Sequence, residues 1–153
     1  MIEVNERIEV AAPTNRVWEV LSDPHAVAEC VPGAALGEKK EDGSYDASLT
    51  IKFGPAKVAF KASFTLDLDP AALSGTVASR ARDNQGGTRV KTSMAFSVVE
   101  GQAPGSSVIP ITAQVEVGGK LASLVESGAN IVVKQMTKEF TERLAKKLAG
   151  NQA

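Results

Sequence analysis

The chain has 153 residues, with 17 lysines and arginines against 18 aspartates and glutamates, and a formal net charge of −1. This length suffices for one domain with a sizeable core, and the balanced charge excludes attraction to nucleic acid or anionic lipid by net charge alone. No segment reaches the roughly 18 consecutive apolar residues of a membrane-spanning helix, and the N-terminus lacks the apolar stretch of a signal peptide. We therefore expect a cytoplasmic protein without a transmembrane segment or a nucleic-acid partner.

The first elements are a strand and two short helices. The strand is predicted by apolar residues spaced mostly by two, namely Ile2, Val4, Ile8 and Val10. The first helix follows Pro13 and places Trp18 and Leu21 on its apolar face. The second begins at Asp23-Pro24, a helix cap followed by a proline at the first helical position, and ends before Pro32-Gly33.

From residue 34 to residue 117 the hydrophobic period is two. Runs such as 45–53, 58–68, 88–98 and 109–117 alternate apolar with polar residues, and turn signals such as Asp42-Gly43 lie between them. A further strand is predicted to begin at Leu73. Strands with one apolar and one polar face form antiparallel sheets, so we expect a meander.

A long helix is predicted from about Gly119 to Ala149. Its apolar stripe consists of Leu121, Leu124, Val125, Val132, Met136, Phe140, Leu144 and Leu148, with Gly128 and Ala129 between them. At a rise of ~1.5 Å per residue, such a helix is about 45 Å long and crosses a whole sheet. The predicted fold is α+β, with a seven-stranded antiparallel sheet wrapped around this helix and two short helices after the first strand. Residues 1–150 form the domain, and residues 151–153 a frayed C-terminus.

Small residues are frequent on the strand faces predicted to turn toward the long helix. They are Gly75, Ser79, Ala81, Ala47, Ala62, Thr88, Thr92 and Ala113. Gly128 is expected to face them from the helix. Two interpretations are open: the small residues let the helix sit close to the sheet, or they leave a hollow. Since large apolar pockets with few polar groups are typical ligand sites, we favour the hollow.

The only histidine and the only cysteine fall in the second short helix. Helical geometry places Val27, Cys30 and Val31 on its apolar face, and His25 on the opposite, solvated face. The two are therefore no catalytic dyad, and one of each cannot close a tetrahedral metal site. We expect Cys30 to be a buried, unreactive thiol.

Acidic residues are expected only on the polar strand faces, as for Asp46, Asp67 and Glu116. The inward polar groups are then hydroxyls, namely Ser79, Thr88, Thr92 and, at the rim, Tyr45. Without an inward titratable group, acid–base or covalent catalysis has no visible agent. We expect no enzymatic activity and no metal.

Three segments together resemble the CoxG family of carbon monoxide dehydrogenase subunits, within the START-like, polyketide-cyclase-like superfamily. They are VWEVLSDPHAVAECVPGA (17–34), YDASLTIKFGPAKVAFKASFTL (45–66) and VGGKLASLVESGANIVVKQMTKEFTERL (117–144). The motifs that carry the likeness are Cys30-x-Pro32-Gly33, the Gly54-Pro55 turn and the helix start at 119–122. The resemblance implies a helix-grip fold with a hydrophobic cavity. It also implies binding of a lipophilic quinone and service to a molybdenum hydroxylase of the carbon monoxide dehydrogenase type at the membrane.

The expected function is that of a non-enzymatic carrier of a hydrophobic molecule, a quinone or another isoprenoid lipid. Many members of the family continue into an apolar membrane-binding tail, whereas this chain stops at Ala153, so we expect transient contact with the inner face of the cytoplasmic membrane. The alternatives are a cyclase- or aromatase-like enzyme acting on a polyketide, and an adaptor or assembly factor without a ligand. The predicted ligand-binding residues are Trp18, Leu21, Val27, Cys30, Val31, Phe53, Phe60, Met94, Phe96, Leu121, Leu124, Val125, Gly128, Val132 and Met136.

Overall fold

A computed structural model describes residues 2–53, 55–83 and 87–150. In chain order the elements are β1 (Ile2–Val10), α1 (Thr14–Leu21), α2 (Pro24–Cys30), β2 (Ala34–Lys39), β3 (Tyr45–Phe53), β4 (Ala56–Asp69), β5 (Ser74–Asp83), β6 (Thr88–Ser97), β7 (Val99–Glu100), β8 (Ser107–Gly119) and α3 (Ala122–Gly150). The predicted frayed end at 151–153 lies outside the described residues, as does Gly54 of the Gly54-Pro55 turn.

The strands form one antiparallel sheet in the order β1-β8-β6-β5-β4-β3-β2. This confirms the predicted α+β fold with seven main strands, two short helices and a long C-terminal helix. The structure adds β7, a two-residue strand that pairs with β8 outside this order. Its length is too short for a period of two to reveal it.

The strand predicted to begin at Leu73 begins one residue later. Leu73 has a φ of +49°, in the left-handed region, and therefore belongs to the turn that precedes β5. Its carbonyl oxygen accepts a hydrogen bond of 2.9 Å from the Val98 backbone N–H. This bond ties the β4–β5 turn to the end of β6.

The start of α3 is held by the β5–β6 hairpin end. The Leu121 backbone N–H donates to Oγ1 of Thr88 at 2.9 Å, and the Lys120 N–H donates to the Gly87 carbonyl oxygen at 2.7 Å. Thr88 is fully buried, so its hydroxyl is used at the helix start and is not a free polar group of the interior, contrary to the sequence-based expectation. A helix start needs such acceptors because its first N–H groups have no partner within the helix.

The apolar core consists of two separate clusters. The upper cluster joins α1, α2 and the end of α3 to β1 and β8, through Ile8, Val10, Ala12, Val17, Val20, Cys30, Val98, Ile109, Leu144 and Leu148. The lower cluster joins the β3–β4 hairpin to the start of α3, through Phe53, Val58, Phe60 and Val125. The predicted stripe on α3 therefore packs at both of its ends, into different clusters. No helix in the described part of the chain is long and apolar enough to span a bilayer.

Candidate functional site

The inner face of the sheet, between the two clusters, carries apolar side chains that are only half-buried. Two neighbouring rows cross the sheet there: Tyr45, Phe64, Ser79, Thr92 and Val115 form one, and Leu66, Val77, Met94 and Ala113 the other. We call these nine residues the central band. All of them except Ala113 are partly accessible, and only Ala113 belongs to the buried core. Protein interiors are normally close-packed, so an inner face of this kind is unusual.

The position of α3 explains why the central band is not covered. The helix makes its closest approaches to β1, β3 and β8 and to the two short helices. The strands β4, β5 and β6, which supply most of the central band, are not among the elements that it approaches closely. The small residues of these strands thus face a region that α3 spans without filling.

Two hydroxyl groups lie side by side in the central band. Ser79 and Thr92 are directly paired across β5 and β6, with Phe64 and Val115 on either side in the same row. Within the described part of the chain, no side-chain hydrogen bond engages either hydroxyl. Directly opposite side chains in an antiparallel pair are close neighbours. The pair therefore offers hydrogen-bond donors and acceptors in apolar surroundings.

The central band is closed on the β3 side by an aromatic pair. Tyr45 and Phe64 stack with ring centroids 5.2 Å apart and nearly parallel planes. Nζ of Lys39, on the edge strand β2, lies 5.6 Å from the centroid of the Tyr45 ring, at cation–π distance. Tyr45 thus lies at the rim, as predicted from the sequence.

The predicted ligand-binding residues divide among the two clusters and the space between them. Four lie in or against the upper cluster: Trp18, Leu21, Cys30 and Phe96. Six lie in or against the lower cluster: Phe53, Phe60, Leu121, Leu124, Val125 and Val132. Five belong to neither cluster and are half-buried: Val27, Val31, Met94, Gly128 and Met136. The set is therefore not gathered in one place. Its role in binding stays a prediction.

Gly128 does not face the small strand residues, contrary to the expectation from the helix stripe. A Cβ atom at this position would meet Cδ1 of Phe53 at 3.1 Å. Gly128 lets α3 pack against the Phe53 ring of the lower cluster. Gly75 is covered in a similar way by the side chains of Leu68 and Phe96. At these two positions a small residue permits close packing, whereas Ser79 and Thr92 lie in the central band.

Two carboxylates have the inward register, contrary to the expectation that there would be none. Glu6 alternates with Val4 and Ile8 and pairs with Ile111, and it is half-buried. A strict count by two from Ile2 would have found it. Asp83 ends β5 on the same face, is buried, and accepts a hydrogen bond of 2.9 Å from the Gly87 N–H. Asp83 therefore holds the β5–β6 turn, whereas Glu6 is an acid of the inner face.

His25 and Cys30 lie on opposite sides of α2, as predicted. His25 is exposed, and Cys30 is 1% exposed in the upper cluster. Burial raises the pKa of the Cys30 thiol, and this effect outweighs the opposing field of Lys147. Lys147 is engaged in an ion pair with Glu29 at the surface. The thiol is therefore neutral at physiological pH and acts as a small core side chain.

The native protein should react slowly with a thiol reagent at neutral pH, because labelling of Cys30 requires local opening of the core. A Cys30→Ala, His25→Cys variant, with its only thiol at an exposed position, is the control and should react rapidly. Because the native thiol has the higher pKa, its contribution to stability is complete below the unfolded-state pKa near 9 and is lost as the pH rises through the native pKa. Urea unfolding of the wild type should therefore show a decline in alkali that Cys30→Ala lacks. Rapid labelling of the native wild type would contradict this assignment.

Comparison with solved structures supports the fold. A conserved protein from Geobacillus kaustophilus superposes with a TM-score of 0.83 at 23% identity, over 97% of this chain and 96% of its own. The ZhuI aromatase/cyclase from Streptomyces sp. R1128 gives a TM-score of 0.64 at 17% identity, over 97% and 93% of the two chains. A START superfamily protein from Mycobacterium smegmatis gives 0.63 at 18% identity, over 94% and 97%. The fold is therefore START-like.

Comparison with protein families concerns the sequence itself. A search of the curated proteins finds no match. The model of the CoxG family of carbon monoxide dehydrogenase subunits matches residues 7–149, which includes all three segments on which the resemblance was based. The chain belongs to the CoxG family of carbon monoxide dehydrogenase subunits.

Proposed function

We propose that the protein is a non-enzymatic carrier that encloses a hydrophobic molecule between α3 and the central band. The split core carries this proposal: apolar residues are buried at both ends of the inner face and half-buried in its middle. An empty apolar space costs stability, because its walls lose both hydration and packing partners. A ligand that fills it would restore those contacts.

The lining of the central band defines the chemistry of this ligand. Phe64, Leu66, Val77 and Met94 offer apolar surface, and burial of a ligand against such surface contributes about 25 cal/mol per Å². The hydroxyls of Ser79 and Thr92 suit one acceptor group, such as a ring carbonyl. A quinone with an isoprenoid tail combines the two features. The family of this chain supports a partner of the molybdenum hydroxylase type, which would receive the molecule near the cytoplasmic membrane.

The second candidate is an enzyme of the cyclase type, and one observation favours it. Glu6 is an inward carboxylate that a carrier does not need, and a carboxylate on an apolar inner face is a candidate general base. The aromatase/cyclase among the structural neighbours shares the fold, although a shared fold carries no activity by itself. A buried proton acceptor would make Glu6 essential for turnover but not for binding.

The test is native mass spectrometry of protein purified from its own host, followed by organic extraction. For a carrier, we expect one apolar molecule per chain, the same in the wild type and in a Glu6→Gln variant. For an enzyme, Glu6→Gln should retain a molecule that differs from the one bound to the wild type, because substrate is held without conversion. Wild-type protein that carries no molecule, and that no quinone stabilises against thermal unfolding, would refute the carrier.

A further inference from the structure

The outer face of the sheet carries a compact group of five exposed cations. Lys61, Arg82 and Arg89 are directly opposite one another on β4, β5 and β6, and Arg80 and Lys91 form the neighbouring pair one step along β5 and β6. We call these five residues the cationic patch. The whole chain has a net charge of −1. The patch therefore results from segregation of charge rather than from an excess of basic residues.

The cationic patch does not serve the fold. Like charges directly opposite each other in a sheet destabilise it, and Arg82 has a cation on each side. Within the described residues, no carboxylate lies within ion-pair distance of any of the five, although four other cations have such partners. Their arrangement costs stability that an external anion would return.

The surface around the cationic patch is shaped for contact. Two grooves of about 600 and 680 Å³ run over it, and Arg80 and Lys91 line both of them. Glu116, opposite Lys91, and Asp46, paired with Lys40 at 3.2 Å, lie along the same grooves. A surface with cations in the middle and acids at its margin matches a partner with the reverse pattern.

We infer that the cationic patch is the docking surface for an acidic patch on a partner protein. A membrane is the poorer occupant for two reasons. First, the two large apolar side chains that are exposed in the described residues, Val99 and Ile131, are not in the patch, so nothing there would insert into a bilayer. Second, the hydrogen-bonded sheet separates the patch from the inner face, so docking there would hold the interior away from the lipid. The inference holds whether or not a ligand occupies the interior.

The experiment measures binding of a fluorescent peptide of repeated glutamate and serine, as a stand-in for an acidic protein surface, at low ionic strength. The test variant is Arg80→Gln, Arg82→Gln, Arg89→Gln. The matched control is Lys134→Gln, Lys138→Gln, Lys146→Gln, which removes the same charge from exposed positions of α3. We expect peptide affinity to fall about tenfold in the test variant, since exposed ion pairs each contribute modestly, and to change less than about twofold in the control.

Three results would overturn the inference. Equal losses of affinity in both variants would indicate bulk charge only, and absence of peptide binding by the wild type would remove the surface altogether. Patch-dependent binding that is tighter to vesicles containing phosphatidylglycerol, or to duplex DNA, than to the peptide would replace the protein partner by a membrane or by nucleic acid. Thermal unfolding gives an independent measure. The test variant should be at least as stable as the wild type, and a lower midpoint would mean that the cations serve the fold.

Discussion

Replacing Ser79 by phenylalanine is expected to abolish retention of a hydrophobic ligand while the protein remains folded. Ser79 lies in the middle of the central band, between Phe64 and Thr92 in its row, and it is half-buried. A phenylalanine there would occupy the space that the proposed ligand needs. Aromatic residues suit β-strands, so β5 should accept the new side chain without loss of pairing.

The measurements are the amount of co-purified molecule and the thermal stabilisation by an added quinone. At a ligand concentration about 100 times the Kd, a single site stabilises the native state by ~2.7 kcal/mol, and this gain should vanish in Ser79→Phe. Circular dichroism should remain that of the wild type. The control is Ala78→Phe, which places the same side chain on the same strand but on the exposed outer face. It should bind like the wild type.

This pair of variants separates the site from the fold. If Ser79→Phe binds as tightly as the wild type, the ligand does not lie on the central band, and the proposed carrier site is wrong. If Ala78→Phe loses binding as well, the outer face would be implicated and the inner face would not. A Gly128→Phe variant is unsuitable for this purpose, because the new ring would collide with Phe53 in the lower cluster.

Replacing Gly33 by alanine should have the largest effect on stability. Gly33 has a φ of +79°, and a Cβ atom there would lie against the backbone carbonyl oxygen of Thr50, far inside van der Waals contact. The Gly33 carbonyl oxygen also accepts a 3.0 Å hydrogen bond from the Thr50 N–H. Backbone atoms cannot move aside as a flexible side chain does, so the start of β2 must separate from β3. We expect a loss of about 3 kcal/mol or more in the free energy of unfolding.

Gly43→Ala is the matched control for this prediction. Gly43 has a φ of +90°, but its surroundings are open, with no atom within 4 Å of a Cβ atom. It therefore reports the cost of the left-handed backbone alone, about 1–2 kcal/mol for a residue other than glycine. Urea unfolding of the two variants measures the difference. Equal losses would show that the contact with Thr50 is relieved at little cost and would refute the steric argument.

Positions within a single element were largely determined by the sequence. Alternation by two showed which side of each strand is apolar, and this correctly placed Arg80 and Lys91 outward and Ser79 and Thr92 inward. The period of the helix likewise separated Cys30 from His25. These conclusions hold because the direction of a side chain relative to its own backbone repeats every two residues in a strand and every 3.6 in a helix. Where the same rule was not applied strictly, at Glu6, the prediction was wrong.

What lies opposite each residue was decided only by the tertiary structure. The hydroxyl of Thr88 became a partner of the Leu121 N–H, and Gly128 met the Phe53 ring. The core divided in two because α3 packs near β1, β3 and β8 while the middle strands stand apart from it. Likewise, the cationic patch exists only because the register brings Lys61, Arg82 and Arg89 into one row. A hydrophobic period fixes faces but not separations, because the register of strands distant in sequence and the distance from helix to sheet arise from packing across the whole domain.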